Sequence, residues 1–350
     1  MRRLVAFALA LPILLACGAP AHAESRYQGR LEIRHYDDMP ADRSSTRYSL
    51  AGPHGSERLS LQRMPRVRSG SRVTVLGRAS HGRIVGSVAG GSARAATVTP
   101  GPRTTAVVLI NFSDDTRQPW TVDQARQRVF TAPDSTNAFF QDESYGQVSL
   151  VGKLRPDGDV FGWYTLPVSA SNCDPDLWTS QAQAAARASG VDLSGYQHVV
   201  YAFPPERSCA WSGLGELPGT QAWVNGDIGV KTIAHELEHN MGTHHASSYR
   251  CSDGAGDPVA ISGNCSVDEY GDPFDVMGGY LARHSSAWHL QQLGFLAGSH
   301  VQTVAQSGTY TVQTALVQGL PTQLVRIPRT RWANGAVKDY YYLDLRSSGG

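Results

Sequence analysis

The sequence predicts a mixed α/β fold for the central part of the chain, with β-rich segments at both ends. Residues 101–298 alternate apolar strand patterns with helical patterns, which is typical of a mixed sheet packed against helices. Residues 24–100 and 299–350 instead carry short apolar–polar alternations separated by turn residues. The 350 residues, 41% hydrophobic and 17% charged, are enough for two or three soluble globular domains.

The first 23 residues have the features of an export signal. Residues 2 and 3 are arginines, residues 4–16 are apolar, and small residues at 21 and 23 favour cleavage after Ala23. The apolar run is too short to span a membrane, so we expect a secreted or periplasmic protein without an integral span. An alternative is a lipoprotein anchored through Cys17, because the preceding Leu-Leu-Ala resembles a lipidation signal.

Four cysteines remain beyond the predicted signal: Cys173, Cys209, Cys251 and Cys265. An even number in an exported chain predicts two disulfides, for which three pairings exist. The sequence-local pairing, Cys173 with Cys209 and Cys251 with Cys265, is preferred. Free thiols are less expected in an oxidising compartment.

Residues 24–100 are predicted to form a separate β-rich unit, with a hairpin over residues 72–77 and 82–88. The unit has thirteen arginines and six acidic residues, a net charge of +7, whereas residues 101–350 have a net charge of −8. The opposite signs suggest that the unit docks on the rest of the chain as a pro-segment; a solvated surface is the simpler alternative. A nucleic-acid partner is not expected, because no recognition motif accompanies the arginines. The unit contains no cysteine, so a pro-segment here could not block a metal site by binding the metal through a thiol.

Residues 90–102 are rich in Gly, Ala, Ser and Pro and are predicted to form a linker. Strands are predicted at residues 105–112, 148–154, 198–203 and 221–225, and helices at 122–130, 135–141, 176–189 and 284–295. The strand at 221–225 is expected to lie beside a cleft, with a free edge to which an extended peptide could add. Strands are also predicted at 309–313, 323–327 and 340–345, in a terminal segment (299–350) that is small or truncated.

The motif H-E-x-x-H-x-x-G-x-x-H spans residues 235–245. On a helix, His235 and His239 lie on one side, opposite the apolar face formed by Val230, Ile233, Ala234, Leu237 and Met241. Gly242 can take the left-handed conformation that ends the helix and turns His245 back toward them. Three imidazole ligands with a fourth position left open are typical of a catalytic zinc site. Glu236 can then reach a water on the metal without binding the metal; His244 is a less well spaced candidate ligand.

Met277 follows this motif in a turn rich in Asp and Gly, and could form an apolar floor beneath the metal. In the helix after it, Trp288 and Leu293 are predicted to face inward, and His284 and His289 to be packing or surface residues. The acidic pairs Asp253/Asp257 and Asp268/Asp272 could bind Ca²⁺, although solvated loops are the simpler interpretation.

The extended zinc motif, together with Asp275-Val276-Met277-Gly278, resembles the metzincin clan of zinc endopeptidases. Residues 139–146 and the helix at 288–294 are similar to the gametolysin-like group, and the resemblance covers residues 104–298. It implies a metzincin-like α/β (α+β) domain, with a cleft between a twisted sheet and a smaller lower subdomain. It also implies His235, His239 and His245 as zinc ligands, Glu236 as the base and Met277 as the turn methionine.

Two positions depart from the pattern of this clan. Glu238 stands where such motifs often have glycine. Tyr280 is three residues past the methionine, one more than the tyrosine that joins the zinc shell in some metzincins. Tyr280 is therefore only a candidate for supporting the ligands or the transition state.

The predicted function is that of a secreted zinc metalloendopeptidase, in which Glu236 activates a zinc-bound water to hydrolyse a protein or peptide substrate. One alternative is a zinc-binding adhesion module that has lost catalysis, against which the intact Glu236 argues. Another is zinc-dependent hydrolysis of a non-peptide substrate. A protease assay with and without a chelator distinguishes the three.

Overall fold

The computed structural model describes residues 24–53, 55–63, 65, 67–89, 99–279 and 281–346. The predicted export signal, with Cys17 and Ala23, and much of the predicted linker lie outside these ranges. Within them, no helix is both long and apolar enough to cross a membrane.

Five strands form the N-terminal part: β1 (Ser25–Asp38), β2 (Arg43–Gly52), β3 (Gly55–Leu61), β4 (Arg72–Ser80) and β5 (Arg83–Val88). Their pairings close into a ring, because β1 pairs with both β2 and β4, and β3 pairs with both β2 and β5. The predicted hairpin is β4–β5. Alternate side chains of these strands, including Leu31, Ile33 and Val75, fill the interior of the ring.

The central part is a mixed α/β structure, which confirms the predicted fold class. Its strands are β6 (Gly101–Phe112), β7 (Val148–Val151), β8 (Asp159–Leu166), β9 (His198–Phe203), β10 (Gly213–Glu216) and β11 (Gln221–Asn225). Its helices are α1 (Val122–Arg126), continued by a π-helical turn (Gln127–Thr131), α2 (Thr136–Glu143), α3 (Pro175–Ala188) and α4 (Val230–Met241).

The sheet order β10-β11-β9-β6 continues to β7 and β8, which both pair with β6. All these pairings are parallel except that of β10 with β11. One face packs on α3 through residues such as Val108 and Trp223, and the other packs on α4 through Leu109 and Val224. Because the sheet is covered on both faces, the central strand β6 is apolar in nearly continuous sequence.

The C-terminal part follows α4 with β12 (Ser248–Cys251), β13 (Cys265–Asp268), α5 (Ala287–Leu293), β14 (Val301–Thr303), β15 (Leu324–Arg331) and β16 (Val337–Leu343). Disulfides join Cys173 to Cys209 and Cys251 to Cys265, which is the sequence-local pairing. The second disulfide links β12 to β13, which pair directly.

Two predictions for the C-terminal part are wrong. Residues 309–313 do not form a strand; of their backbone amides, Gln313 N bonds to Thr322 O at 2.6 Å, but no partner strand lies alongside. Trp288 does not face inward: it is 40% exposed and packs on Tyr342. The inner face of α5 is instead built from Ala287, Leu290 and Leu293, whose spacing of three residues leaves Trp288 off that face.

The α3 face of the sheet should depend on Trp178, which is buried against Phe112 and Phe203 at ring-centroid distances of 4.6 and 5.2 Å. We expect Trp178→Ala to lower the free energy of unfolding by about 3–5 kcal/mol, because it leaves a cavity in a close-packed core. The neighbouring Leu177→Ala, at a position 40% exposed, is the matched control. Urea unfolding should show a large loss of stability for the first variant only; equal midpoints would contradict the packing described.

Candidate metal centre and active site

Helix α4 carries the histidine motif and begins and ends as the sequence predicts. Asp227 accepts hydrogen bonds from the Gly229 amide at 2.8 Å and from the Thr232 hydroxyl at 2.6 Å, at the positive end of the helix dipole. Gly242 adopts φ = 105°, and its amide donates to the carbonyls of Glu238 and His239. This left-handed turn reverses the chain and returns His245 to the helix.

Each of the three motif histidines has a hydrogen-bond acceptor at its Nδ1 atom. His235 Nδ1 lies 2.9 Å from the Val276 carbonyl, His239 Nδ1 lies 2.9 Å from the Thr243 carbonyl, and His245 Nδ1 lies 3.0 Å from a Glu269 carboxylate oxygen. An imidazole facing an acceptor carries its proton on that nitrogen. In its neutral form, each ring therefore carries its lone pair on the Nε2 atom.

The Nε2 atoms of these histidines lie between 2.8 and 3.8 Å from the carboxylate oxygens of Asp37. Those of His235 and His245 are 3.3 Å apart, and the three ring centroids are separated by 4.8 to 5.2 Å. His239 Nε2 is buried and has no hydrogen-bond partner within the described part of the chain. Lone pairs that face one another without a proton between them require a cation, and imidazole nitrogen is a preferred zinc ligand. The donors present thus fit a zinc ion.

Two side chains from the N-terminal part reach these histidines. Asp37, at the end of β1, lies 2.8 Å from His245 Nε2 through Oδ1 and 3.4 Å from His239 Nε2 through Oδ2. The ring of His35 lies 4.4 Å from that of His245. His35, Asp37, His239 and His245 can together offer ligand atoms within 4.8 Å of one another.

Glu236 lies against the same centre and is fully buried. Neither of its carboxylate oxygens has a hydrogen-bond partner among the described residues. It fits there because β10 has glycine at the positions that face α4. A Cβ on Gly213 would lie 1.8 Å from Glu236 Oε1. A Cβ on Gly215 would lie 2.9 Å from His239 Cβ. Glycine in a strand often marks such a close approach.

Burial and neighbouring charges set the electrostatics of this centre. Burial lowers the pKa of His235 to about 3, which keeps it neutral and able to bind a metal. Burial, with the Asp37 carboxylate nearby, raises the pKa of Glu236 well above its usual value. Burial also lowers the pKa of Lys231 to about 8; its ammonium donates to the carbonyls of Val276 and Gly278. The buried carboxyl groups of Asp37 and Glu236 therefore favour a positive charge between them and the histidines.

Met277 is fully buried in the core beneath α4. Its turn is held by Asp275, whose Oδ1 accepts from the Met277 amide at 2.8 Å and whose Oδ2 lies 2.9 Å from His289 Nδ1. The Met277 carbonyl accepts from the Ala246 amide at 3.0 Å, next to His245. The turn therefore ties the third histidine to the apolar floor, and His289 is a packing residue, as predicted.

Glu238 points away from the centre, into a buried polar cluster. The Ser285 hydroxyl lies 2.8 and 3.0 Å from its carboxylate oxygens, and the Thr243 hydroxyl lies 3.2 Å from Oε2. Glu143 approaches from α2, and burial raises its pKa to about 7, where a proton can be retained between the carboxyl groups. Glu238, which stands where such motifs often have glycine, thus links α4 to the residues beneath the centre and not to the centre itself.

The other candidates from the sequence do not join the centre. Tyr280 lies outside the described residues. His244 is not among the residues whose ligand atoms converge in the described part of the chain. Asp268 pairs with Arg250, and Asp253 accepts from backbone amides of its own turn, so the structure does not support a Ca²⁺ site there.

Sequence reasoning missed His35, Asp37, Glu269 and Tyr270. The Tyr270 hydroxyl donates to Asp37 Oδ1 at 2.6 Å, and its ring lies 4.1 Å from that of His245. One signal was present: His35 and Asp37 continue the alternate positions that Leu31 and Ile33 place in the core, so two polar residues fall on an inward face.

The predicted free edge of the strand at 221–225 is also wrong. This strand, β11, is paired on both sides, by β9 and by β10. The cleft edge belongs to β10, and β1 occupies it in antiparallel register, with His35 opposite Gly215 and Asp37 opposite Gly213. The Gly-Leu-Gly-Glu sequence of β10 lacks the β-branched and aromatic residues by which strands are predicted.

Residues 105–297 match the family model described as gametolysin peptidase M11, which confirms the resemblance inferred from the motifs. The autolysin of Chlamydomonas reinhardtii is 26% identical over 155 residues, which cover 38% of this chain and 22% of that protein. The chain thus spans less than a quarter of this relative's length. Archaemetzincin (amzA) from Methanopyrus kandleri aligns with 55% of this chain and 94% of its own, at 15% identity and a TM-score of 0.29. A TM-score this low does not establish a shared fold.

The close approach of β10 to α4 predicts that a side chain at Gly215 is not tolerated. A Cβ there would lie 2.9 Å from His239 Cβ and 3.1 Å from the Glu236 carbonyl oxygen, so Gly215→Ala should cost about 1–3 kcal/mol of stability. Gly254→Ala is the control, because its Cβ would meet nothing within 4 Å. Thermal unfolding of both variants measures the difference; an unchanged midpoint for Gly215→Ala would show that sheet and helix are not in this contact.

Proposed function

We propose that this chain, which belongs to the gametolysin peptidase M11 family, is an exported zinc metalloendopeptidase. The family match covers more than half of the 350 residues and includes the whole histidine motif. The single observation that carries the proposal is the cluster of three imidazoles beside a buried carboxylate that has no hydrogen-bond partner among the described residues. Two disulfides support export to an oxidising compartment, either after cleavage near Ala23 or as a lipoprotein through Cys17.

His235, His239 and His245 are the proposed zinc ligands, held in orientation by the acceptors at their Nδ1 atoms. Such outer partners fix the tautomer and raise the basicity of the ligand. Met277 is proposed as the turn methionine beneath them. When bound, zinc polarises a carbonyl and lowers the pKa of a coordinated water to about 7.

Glu236 is the proposed general base and acid. Its carboxylate takes a proton from the attacking water and delivers it to the leaving amine of the scissile peptide bond. Burial of Glu236 excludes bulk water from this transfer, and the absence of a hydrogen-bond partner in the described structure leaves both oxygens available. The substrate backbone would pair with the edge of β10, which runs directly past Glu236.

The N-terminal unit is proposed to act as a pro-segment. It occupies the β10 edge through β1, and its core includes Leu217, from the residues just after β10. Arg34 of β1 also pairs with Asp176 of α3 and lies over the Trp223 ring. A peptide substrate can reach β10 only when this unit moves away or is removed.

Replacement of Glu236 tests the proposed chemistry. We expect Glu236→Gln to retain zinc and to lower kcat for casein or a peptide about 10²–10⁴-fold, because the ligands remain and the base is lost. Activity should be measured before and after limited trypsin treatment followed by trypsin inhibitor, since β1 covers the cleft. Trypsin mixed with its inhibitor in the absence of this protein controls for residual trypsin. The exposed Glu57→Gln should match the wild type. Equal activity of Glu236→Gln and the wild type would overturn this role.

Metal removal tests the ligand assignment. We expect 1,10-phenanthroline to abolish peptidase activity and Zn²⁺ to restore it, and we expect purified His239→Ala to contain little zinc. His244→Ala, which changes a histidine outside the cluster, should retain about one zinc per chain. Metal analysis of the purified proteins decides the question. Stoichiometric zinc without peptide hydrolysis after trypsin treatment would favour the binding-module alternative.

A further inference from the structure

The acidic residue at the end of β1 is placed as a metal ligand would be. Asp37 is fully buried, and its Oδ2 has no hydrogen-bond partner in the described part of the chain, although it lies 3.4 Å from the lone-pair nitrogen of His239. Its Oδ1 lies 2.8 Å from His245 Nε2 and 3.8 Å from His235 Nε2. A buried carboxylate that faces three imidazole nitrogens needs positive charge between them, which a metal ion supplies.

We propose that Asp37 is a fourth ligand of the same metal ion, and that β1 thereby holds the peptidase latent. This inference rests on the proposed zinc function and adds to it the residue that blocks the site. Carboxylate oxygen is an ordinary zinc ligand, and three protein ligands with one open position distinguish a catalytic site from a closed one. With Asp37 in the fourth position, the water that Glu236 would deprotonate has no place.

The backbone of β1 delivers Asp37 accurately to this position. Between residues 34 and 37 the strand pairs with β10, and the Ser212 amide donates to the Asp37 carbonyl at 2.7 Å. On its other edge the same stretch pairs with β2, as part of the closed N-terminal ring. The ligand is therefore carried by a strand fixed on both sides, which limits its freedom to move away from the metal.

Side chains from both parts of the chain hold the carboxylate in place. The Tyr270 hydroxyl donates to Asp37 Oδ1 at 2.6 Å. Ser44 of β2 donates to Glu269, the same carboxylate that orients His245. His35 lies on the same face of β1 and closes the remaining side of the centre, with Nδ1 2.7 Å from the Thr46 hydroxyl. These contacts exclude solvent around Asp37, and the N-terminal unit makes them without a thiol, because it contains no cysteine.

Cobalt substitution gives a direct test that does not depend on activity. The full exported chain and the variants Asp37→Ala and Asp37→Asn are loaded with Co²⁺, and their visible absorption is recorded from pH 5 to 9. We expect Asp37→Ala to change the spectrum and to make it titrate near pH ~7, as a coordinated water replaces the carboxylate. We also expect its metal to be lost to a chelator at least about 10-fold faster than from the wild type. Asp37→Asn keeps the shape of the side chain and should show a weaker form of both effects.

Asp38→Ala is the matched control, because Asp38 is the next residue of β1 and its carboxylate pairs with the exposed Arg43. It should keep the wild-type spectrum and rate of metal loss. Unchanged spectra and metal loss in both Asp37 variants, with thermal unfolding like that of the wild type, would overturn the inference. Failure of the wild type to bind Co²⁺ or Zn²⁺ would instead refute the proposed function.

Discussion

The site depends on one electrostatic constraint: three imidazoles must turn their Nε2 atoms toward one another inside the protein. The acceptors at their Nδ1 atoms enforce this, because the Val276 and Thr243 carbonyls and the Glu269 carboxylate each accept a hydrogen bond from the ring they face. Such an arrangement is costly without a cation, and it becomes favourable when a metal fills it. The Met277 turn and the left-handed Gly242 are needed because they supply these acceptors and return His245 to the helix.

A second constraint is the distance between β10 and α4. Glu236 can be buried beside the ligands only because Gly213 and Gly215 remove the side chains that would otherwise occupy its place. The same glycines leave the strand with little side chain of its own over the helix. Backbone pairing along β10 therefore determines what lies over the metal, and the occupant in this structure is β1. The buried Glu236 carboxylate and the strand that lies over it thus depend on the same two glycines.

The sequence predicts the local part of this site well, and the long-range part poorly. The spacing of His235, His239 and His245 is interpreted within one helix and one turn, where geometry follows from residue number. The strands β9 and β11 have clear apolar patterns and lie where they were expected. The position of Asp37 beside the histidines could not be predicted in this way, because it arises from the pairing of β1 with a strand far along the chain. That strand, β10, was hidden by its glycines, since propensity there is overridden by the need for close approach.

The contacts of Leu217 link the position of β1 to the stability of the folded protein. Leu217 follows β10 directly but lies in the core of the N-terminal ring, where it is 2% exposed, and its amide donates to the Ile33 carbonyl at 3.0 Å. Removal of β1 therefore exposes a large apolar side chain, at a cost of about 1.5–3 kcal/mol, and leaves the edge of β10 unpaired. The pairing of β1 with β10 and the burial of Leu217 thus stabilise the form of the protein in which the edge of β10 is occupied.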